Sequence, residues 1–266
     1  MKNIYLTGGA FGMIYQMGAL RGLNIKKYIF YGCSAGALTA VMILLGYTDD
    51  EILDIYNDIS VRALEKMRLK PYEYDTYNLT THHFEVFELI NKKHKNAYKI
   101  LTKKKLHIGV TLENGFRWYT RFKSNEELFN ILLCSFHVPF LCSYDACISS
   151  CKCIDGGFGL KIDKHLPPNT LVICPKHAES TRFDVLNGEM PVKLCGLPPS
   201  QKERMYYYNK GAKDMRRFIK YGNCSQQTTS IVDESSVPIY VWWWLRYLQP
   251  KDTTNTLCRL FTVCVV

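Results

Sequence analysis

Short apolar runs alternate with glycine-rich turns through the first half of the chain. Residues 2–7 read as a strand. Residues 13–23 read as a helix in which Met13, Ile14, Met17 and Leu20 recur at helical spacing with small Gly18 and Ala19 among them. Tyr28 to Tyr31 is an aromatic, apolar run expected of a buried strand, and residues 35–45 form a continuous apolar helix ended by Gly46, with Asp49, Asp50 and Glu51 following. A polar amphipathic helix is expected over 49–69. Residues 70–105 form a less regular stretch rich in Tyr, His and Lys that could cap a site. Residues 106–111 predict another buried strand, and 115–122 a hairpin return. Ser124 and Glu127 have the spacing of a capping box, opening a helix that Pro139 stops after His137 and Val138. A strand over 151–155 ends in Asp155, where Gly156 and Gly157 turn the chain. Strand, glycine loop, helix, strand, tight turn and helix are the beginning of an α/β sheet.

Composition narrows this picture a little. The 266 residues suffice for one large domain or a core with an appendage, and 47% hydrophobic with 22% charged residues is ordinary for a globular chain. A net charge of +10 suits an anionic partner or a lysine-rich surface equally. The lysines clustered over 92–105 lack the aromatic and glycine pattern of an RNA-binding sheet, so no nucleic-acid partner is expected. No apolar stretch with a small-residue cleavage site is visible at the start, so export is not expected and the 11 cysteines are expected to be reduced. Cys151 and Cys153 are expected to share a strand face. Without a C-x-x-C knuckle, no structural zinc site is expected. The longest apolar helix candidate falls short of the roughly 20 residues a bilayer requires.

Three stretches carry candidate chemistry. Gly32-Cys33-Ser34-Ala35-Gly36 is a G-x-S-x-G pattern between strand and helix. There the glycines allow a sharp reversal, and the serine either projects as a nucleophile at a helix N-terminus or merely caps that helix. Gly8-Gly9-Ala10-Phe11-Gly12 opens the preceding helix and gathers backbone N–H groups that could hold a phosphate or an oxyanion. As a nucleotide loop it fits poorly. Gly12-Met13-Ile14 lacks the Gly-Lys-Ser/Thr of a Walker loop, and Ile14 stands where a dinucleotide loop needs its final glycine. Tyr206 and Lys210 share the Y-x-x-x-K spacing of short-chain dehydrogenases, within a run of three tyrosines. Asp155 at a strand end lies where ligand sites gather in α/β folds, although Asp-Gly is also an ordinary turn dipeptide. An α/β-hydrolase triad would draw on His165 or His177, both after Asp155, but those hydrolases place more strands before the nucleophile.

Together the three stretches resemble the patatin-like phospholipase family. Gly8–Gly12 matches its oxyanion loop, Gly32–Gly36 its elbow, and Asp155–Gly157 the turn bearing its catalytic aspartate. Gly36-Ala-Leu-Thr-Ala, residues 106–111, 122–128, Val138-Pro139 and Ile154-Asp-Gly-Gly look like the branch containing adipose triglyceride lipase, as does the helical stretch 208–219 that follows the core. Two residues depart from the family. Thr7 stands at the loop's usual first glycine, and Phe11 at a position where many members carry Arg or Lys.

The resemblance implies a three-layer α/β fold with a mainly parallel sheet flanked by helices, in a catalytic domain over 1–178. Residues 179–266 would form an extension, helical in part, packed on the core or facing a membrane. It implies a lipid acyl hydrolase, working without a metal or other cofactor, in which Ser34 is the nucleophile and Asp155 its base and acid. Gly8, Gly9, Ala10 and Gly12 would form the oxyanion loop, Gly32, Ala35 and Gly36 the elbow, and Gly156 and Gly157 the turn. Its substrate would be a phospholipid or neutral-lipid ester at a membrane or lipid-droplet surface, reached from the cytoplasm, with residues 239–248 and their three tryptophans as a candidate contact. Acyl transfer through the same acyl-enzyme, and an inactive member that only binds lipid surfaces, are the alternatives.

Overall fold

The computed structural model describes residues 2–69, 79–139, 142, 144–178, 180–191 and 197–222; the aromatic stretch 239–248 lies outside them. An eight-stranded sheet carries the core. In chain order it comprises β1 (Lys2–Leu6), β2 (Tyr28–Gly32), β3 (Leu106–Leu112), β4 (Gly115–Tyr119), β5 (Cys147–Ile148), β6 (Cys151–Asp155), β7 (Thr170–Cys174) and β8 (Val185–Asn187). The sheet is mixed. Strands β8, β7, β1, β2 and β3 run parallel in that spatial order, while β4, β5 and β6 add antiparallel pairings around β3.

Helices α1 (Met13–Leu20), α2 (Ala35–Leu45), α5 (Ala97–Lys103), α6 (Asn125–Phe136) and α9 (Gln201–Tyr221) lie along the main core, and the short α7 (Gly156–Gly159) and α8 (Ile162–His165) follow β6. Strand alternation explains how one sheet is covered twice. Ile4, Leu6, Phe30 and Ile173 point into the larger core, and Tyr5, Tyr31 and Val172 into a smaller aromatic cluster on the opposite face. Trp118 stands edge-on to Tyr31 in that cluster, with ring centroids 5.1 Å apart. Burying each fully enclosed side chain, such as Ile4, Ile14 or Leu106, stabilises the fold by about 1.5–3 kcal/mol.

The helices expected over 35–45 and 49–69 fall on α2 and on α3 (Asp49–Leu69). Three expectations need correction. Residues 70–105 are not generally irregular, because α4 (Thr80–Lys93) and α5 occupy most of the described part. Val86, Phe87 and Ile90 of α4 and Ala97 and Leu101 of α5 are buried at helical spacing, while Phe84 and Leu89 of α4 stay exposed among its polar residues. The first helix stops at Leu20, since Gly22 turns the chain with φ 84°. At α6 only half of the capping box forms. Ser124 Oγ accepts from Glu127 N at 3.1 Å, but the Glu127 carboxylate accepts from the N–H of Lys123 rather than that of Ser124. The expected division at residue 178 falls between β7 and β8, two hydrogen-bonded strands of one sheet. Beyond it, α9 packs along α1.

The pairing around β3 determines where the chemistry sits. Ile108 has Gly32 on one edge and Tyr119 on the other, while Val110 has Asp155 and Arg117. Since β4 fills one edge, β2 and β6 share the other and run head-on along it. Their carboxyl ends meet beside Gly109. A Cβ there would stand 2.4 Å from Cys33 Sγ, and one on Gly156 would stand 2.2 Å from the Gly109 carbonyl oxygen.

Candidate active site

Ser34 occupies the turn between β2 and α2 with φ 53° and ψ −134°, a conformation costing a non-glycine residue about 1–3 kcal/mol. The two glycines of the turn allow close contact on both sides. A Cβ on Gly36 would lie 2.2 Å from the Leu6 carbonyl oxygen, and one on Gly32 would lie 2.6 Å from Ala37 Cα. Ser34 holds the N-cap position of α2, yet its side chain makes no capping hydrogen bond. Instead the hydroxyl faces the Asp155 carboxylate, closely enough to favour its ionised form. That separates the two readings of the serine, since a capping role would turn its oxygen toward the helix N–H groups.

Asp155 ends β6 and is buried. Its Oδ1 also accepts from Gly157 N at 2.8 Å, so the Asp-Gly turn and the contact with the serine coexist in one side chain. Burial pushes its carboxyl up to about 6, against the opposing pull of the hydrogen bonds from Ser34 and Gly157. The backbone is held too. Asp155 N donates to His137 O at 2.8 Å, and Thr111 Oγ1 donates to Asp155 O at 2.9 Å. His165 is engaged elsewhere: its Nδ1 accepts from Lys161 N at 2.9 Å and its ring stacks on Phe116. His177 is exposed.

The glycine loop lies against both groups. A Cβ on Gly8 would stand 3.7 Å from Ser34 Oγ and 3.9 Å from Asp155 Oδ1. Gly9 (φ 145°) and Ala10 (φ 44°) bend the backbone, and a short 3-10 turn over Ala10–Gly12 leads into α1. Among the described residues, the N–H groups of Gly9, Ala10 and Ala35 donate to no protein acceptor. Thr7 fits where a glycine was expected, since its φ is negative. Phe11 is buried edge-on against Tyr56, so an apolar residue there packs the loop down instead of facing the site.

Two contributors escape the sequence reading. Gln16, buried in α1, donates through Nε2 to Thr7 O at 2.7 Å and Ile173 O at 3.3 Å, fixing the start of the loop to β7. Ser135, fully buried in α6, accepts from Ser34 N at 3.0 Å and donates to Gly109 O at 2.7 Å. A polar residue inside an apolar helical run is the only signal the sequence offers for either. Tyr206 and Lys210, by contrast, lie on α9, where Tyr206 is exposed and Lys210 pairs with Asp214.

A strained serine on a buried carboxylate, beside unoccupied backbone donors at a helix N-terminus, is equipped for attack of a hydroxyl on a carbonyl carbon. The family model described as patatin-like phospholipase matches residues 4–163, which spans the loop, the elbow and the aspartate turn. The chain belongs to the patatin-like phospholipase family. It is 30% identical over 166 residues to the human omega-hydroxyceramide transacylase, an alignment covering 59% of this chain and 30% of that protein. It is 36% identical over 83 residues to the probable lipid hydrolase 463L of invertebrate iridescent virus 6, covering 29% and 27% of the two chains. The chain thus spans under a third of the length of these relatives. Among solved structures, the ExoU–SpcU complex of Pseudomonas aeruginosa aligns at TM-score 0.42 and 13% identity over 83% of this chain and 51% of that one.

Proposed function

We propose that the protein is a lipid acyl hydrolase working through a Ser34–Asp155 dyad, of the branch that includes adipose triglyceride lipase. The observation that carries this reading is the strained Ser34, set beside the glycine loop together with a buried carboxylate, Asp155, whose pKa, about 6, lets it be ionised yet basic near neutral pH. Ser34 Oγ attacks the ester carbonyl as its proton passes to Asp155. The oxyanion is held by the N–H groups of Gly9, Ala10 and Ala35 at the positive end of α2. Asp155 then protonates the departing alcohol, leaving an acyl-serine. A water gives its proton to Asp155 and attacks that ester, and the fatty acid leaves as the proton returns to Ser34. The substrate is a phospholipid or neutral-lipid ester, met at a membrane or droplet surface on its cytoplasmic side.

The transacylase among the relatives favours a second outcome for the same acyl-serine, in which an alcohol replaces water. Both are tested by incubating the protein with radiolabelled phosphatidylcholine or triacylglycerol dispersions, with and without an added long-chain alcohol. Release of labelled fatty acid that Ser34→Ala and Asp155→Asn abolish is the expected result. A label appearing mainly in a new ester assigns transfer. Lipid binding without any product from either substrate rejects catalysis and leaves a lipid-binding protein.

A further inference from the structure

The two members of the proposed dyad arrive on different strands, β2 and β6, which meet head-on and share no hydrogen bond at the junction. What sets the distance between them is a third element. At the C-terminal end of α6, Ser135 Oγ accepts the Ser34 N–H at 3.0 Å, and two residues on, the His137 carbonyl accepts the Asp155 N–H at 2.8 Å. The same Ser135 hydroxyl donates to Gly109 O at 2.7 Å, the point on β3 where both strands end. We infer that residues 135–137 form a clamp, with Ser135 as a positioning residue that holds Ser34 in its strained conformation facing Asp155.

The physical case rests on what each group would do without the clamp. Ser34 N–H is directed at the fully buried Ser135 hydroxyl, where an unpaired polar group is costly, so this pairing fixes the peptide plane. That plane sets the torsions of Ser34 and thereby the direction of Oγ. The hydroxyl is well suited to this place because it accepts from one backbone group and donates to another, a pairing that neither Ala nor Val can make. His137 contributes through its main chain, which α6 orients after its last turn. Nothing in this arrangement touches substrate, so Ser135 acts through Ser34 alone.

The inference rests on the proposed dyad, and its test keeps the two apart. Ser135→Ala, Ser135→Thr and Ser135→Val are compared with wild type for phosphonylation of Ser34 by a fluorophosphonate, for kcat and KM on a soluble short-chain ester, and for thermal midpoint. Thr and Val have nearly the same shape, so any packing penalty is common to both and only the hydroxyl differs. Expected are a fall in kcat and labelling rate of roughly ten- to a hundredfold for Ala and Val, with little change in KM, and retention to within about threefold by Thr. The acid limb of the pH profile should also move to higher pH in Ala and Val. The Ser34 hydroxyl lowers the Asp155 pKa, and moving it away lets the pKa rise. A purely structural role would lower the thermal midpoint and leave the limb unmoved. If Ala does not fold, the Thr–Val pair decides. Equal kcat in Thr and Val, or an unshifted limb in a slowed variant, overturns the clamp while the dyad stands. A folded wild type that neither labels nor turns over ester overturns both.

Discussion

The site end of the sheet and the α1–α9 interface both depend on backbones brought to contact by glycine, and they use that closeness for opposite ends. Between the helices, a Cβ on Gly18 would lie 1.9 Å from Tyr208 O, and one on Gly211 2.1 Å from Tyr15 O. Three polar contacts flank that approach: Tyr15 OH donates to Asp214 at 3.1 Å, Lys210 meets the same carboxylate at 2.7 Å, and Tyr208 OH donates to Asp49 at 2.7 Å. At the elbow the approach is as tight, but a non-glycine residue is left at positive φ and, among the described residues, a carboxylate is buried without a cation bonded to it and N–H groups lack protein acceptors. Close backbone packing alone is therefore architecture. A strained serine set against a buried carboxylate of raised pKa is what marks the site.

The largest effect that sharpens this contrast is on turnover. Ser34→Ala should reduce ester hydrolysis about 10⁴-fold or more and Asp155→Asn about 10³-fold, each folded by circular dichroism. An equal steric insult at the two regions should then diverge. Gly36→Ala drives a methyl into the Leu6 carbonyl and displaces Ser34, so both stability and Ser34 labelling fall, the latter about 100-fold. Gly211→Ala should cost about 1–3 kcal/mol in denaturant unfolding yet leave activity per folded molecule unchanged. Loss of labelling in Gly211→Ala at temperatures where it remains folded would break the comparison.

A smaller effect has an unusual sign. The Asp155 carboxyl is raised from 3.8 to about 6, so the folded state holds its proton more tightly than the unfolded chain and stability falls as pH rises between those values. Asp155→Asn, neutral throughout, should therefore be more stable than wild type above pH 6 by about 2–3 kcal/mol, with the advantage vanishing below about pH 4. Urea titrations at several pH values measure it directly. Smallest is Ser124→Ala, which removes the acceptor for Glu127 N and should cost about 1 kcal/mol without altering turnover.

Much of this was legible locally. The strand–turn–helix setting of Ser34, the apolar run of α2 and the glycine bend at residues 8–12 are short-range patterns, and each appears where the sequence placed it. Helices α4 and α5 were hidden because their buried faces are narrow and their lysines and histidines dominate the composition. The meeting of Ser34 with Asp155 depends on register, namely which edge of β3 receives β6, and no periodicity encodes that. The α6 clamp is less legible still. Ser135 differs from its apolar neighbours only by one hydroxyl, whose two partners lie 101 and 26 residues away in sequence.

The central claim is that Asp155 activates Ser34, and the rate of Ser34 phosphonylation as a function of pH tests it most directly. Labelled peptides from wild type should map to Ser34, with a rate that rises through a single ionisation near pH 6 and levels above pH 7, as expected for a base that must first lose its proton. In Asp155→Asn that rise should disappear. A rate in wild type that does not change between pH 5 and 8, or labelling of another residue, would contradict the account.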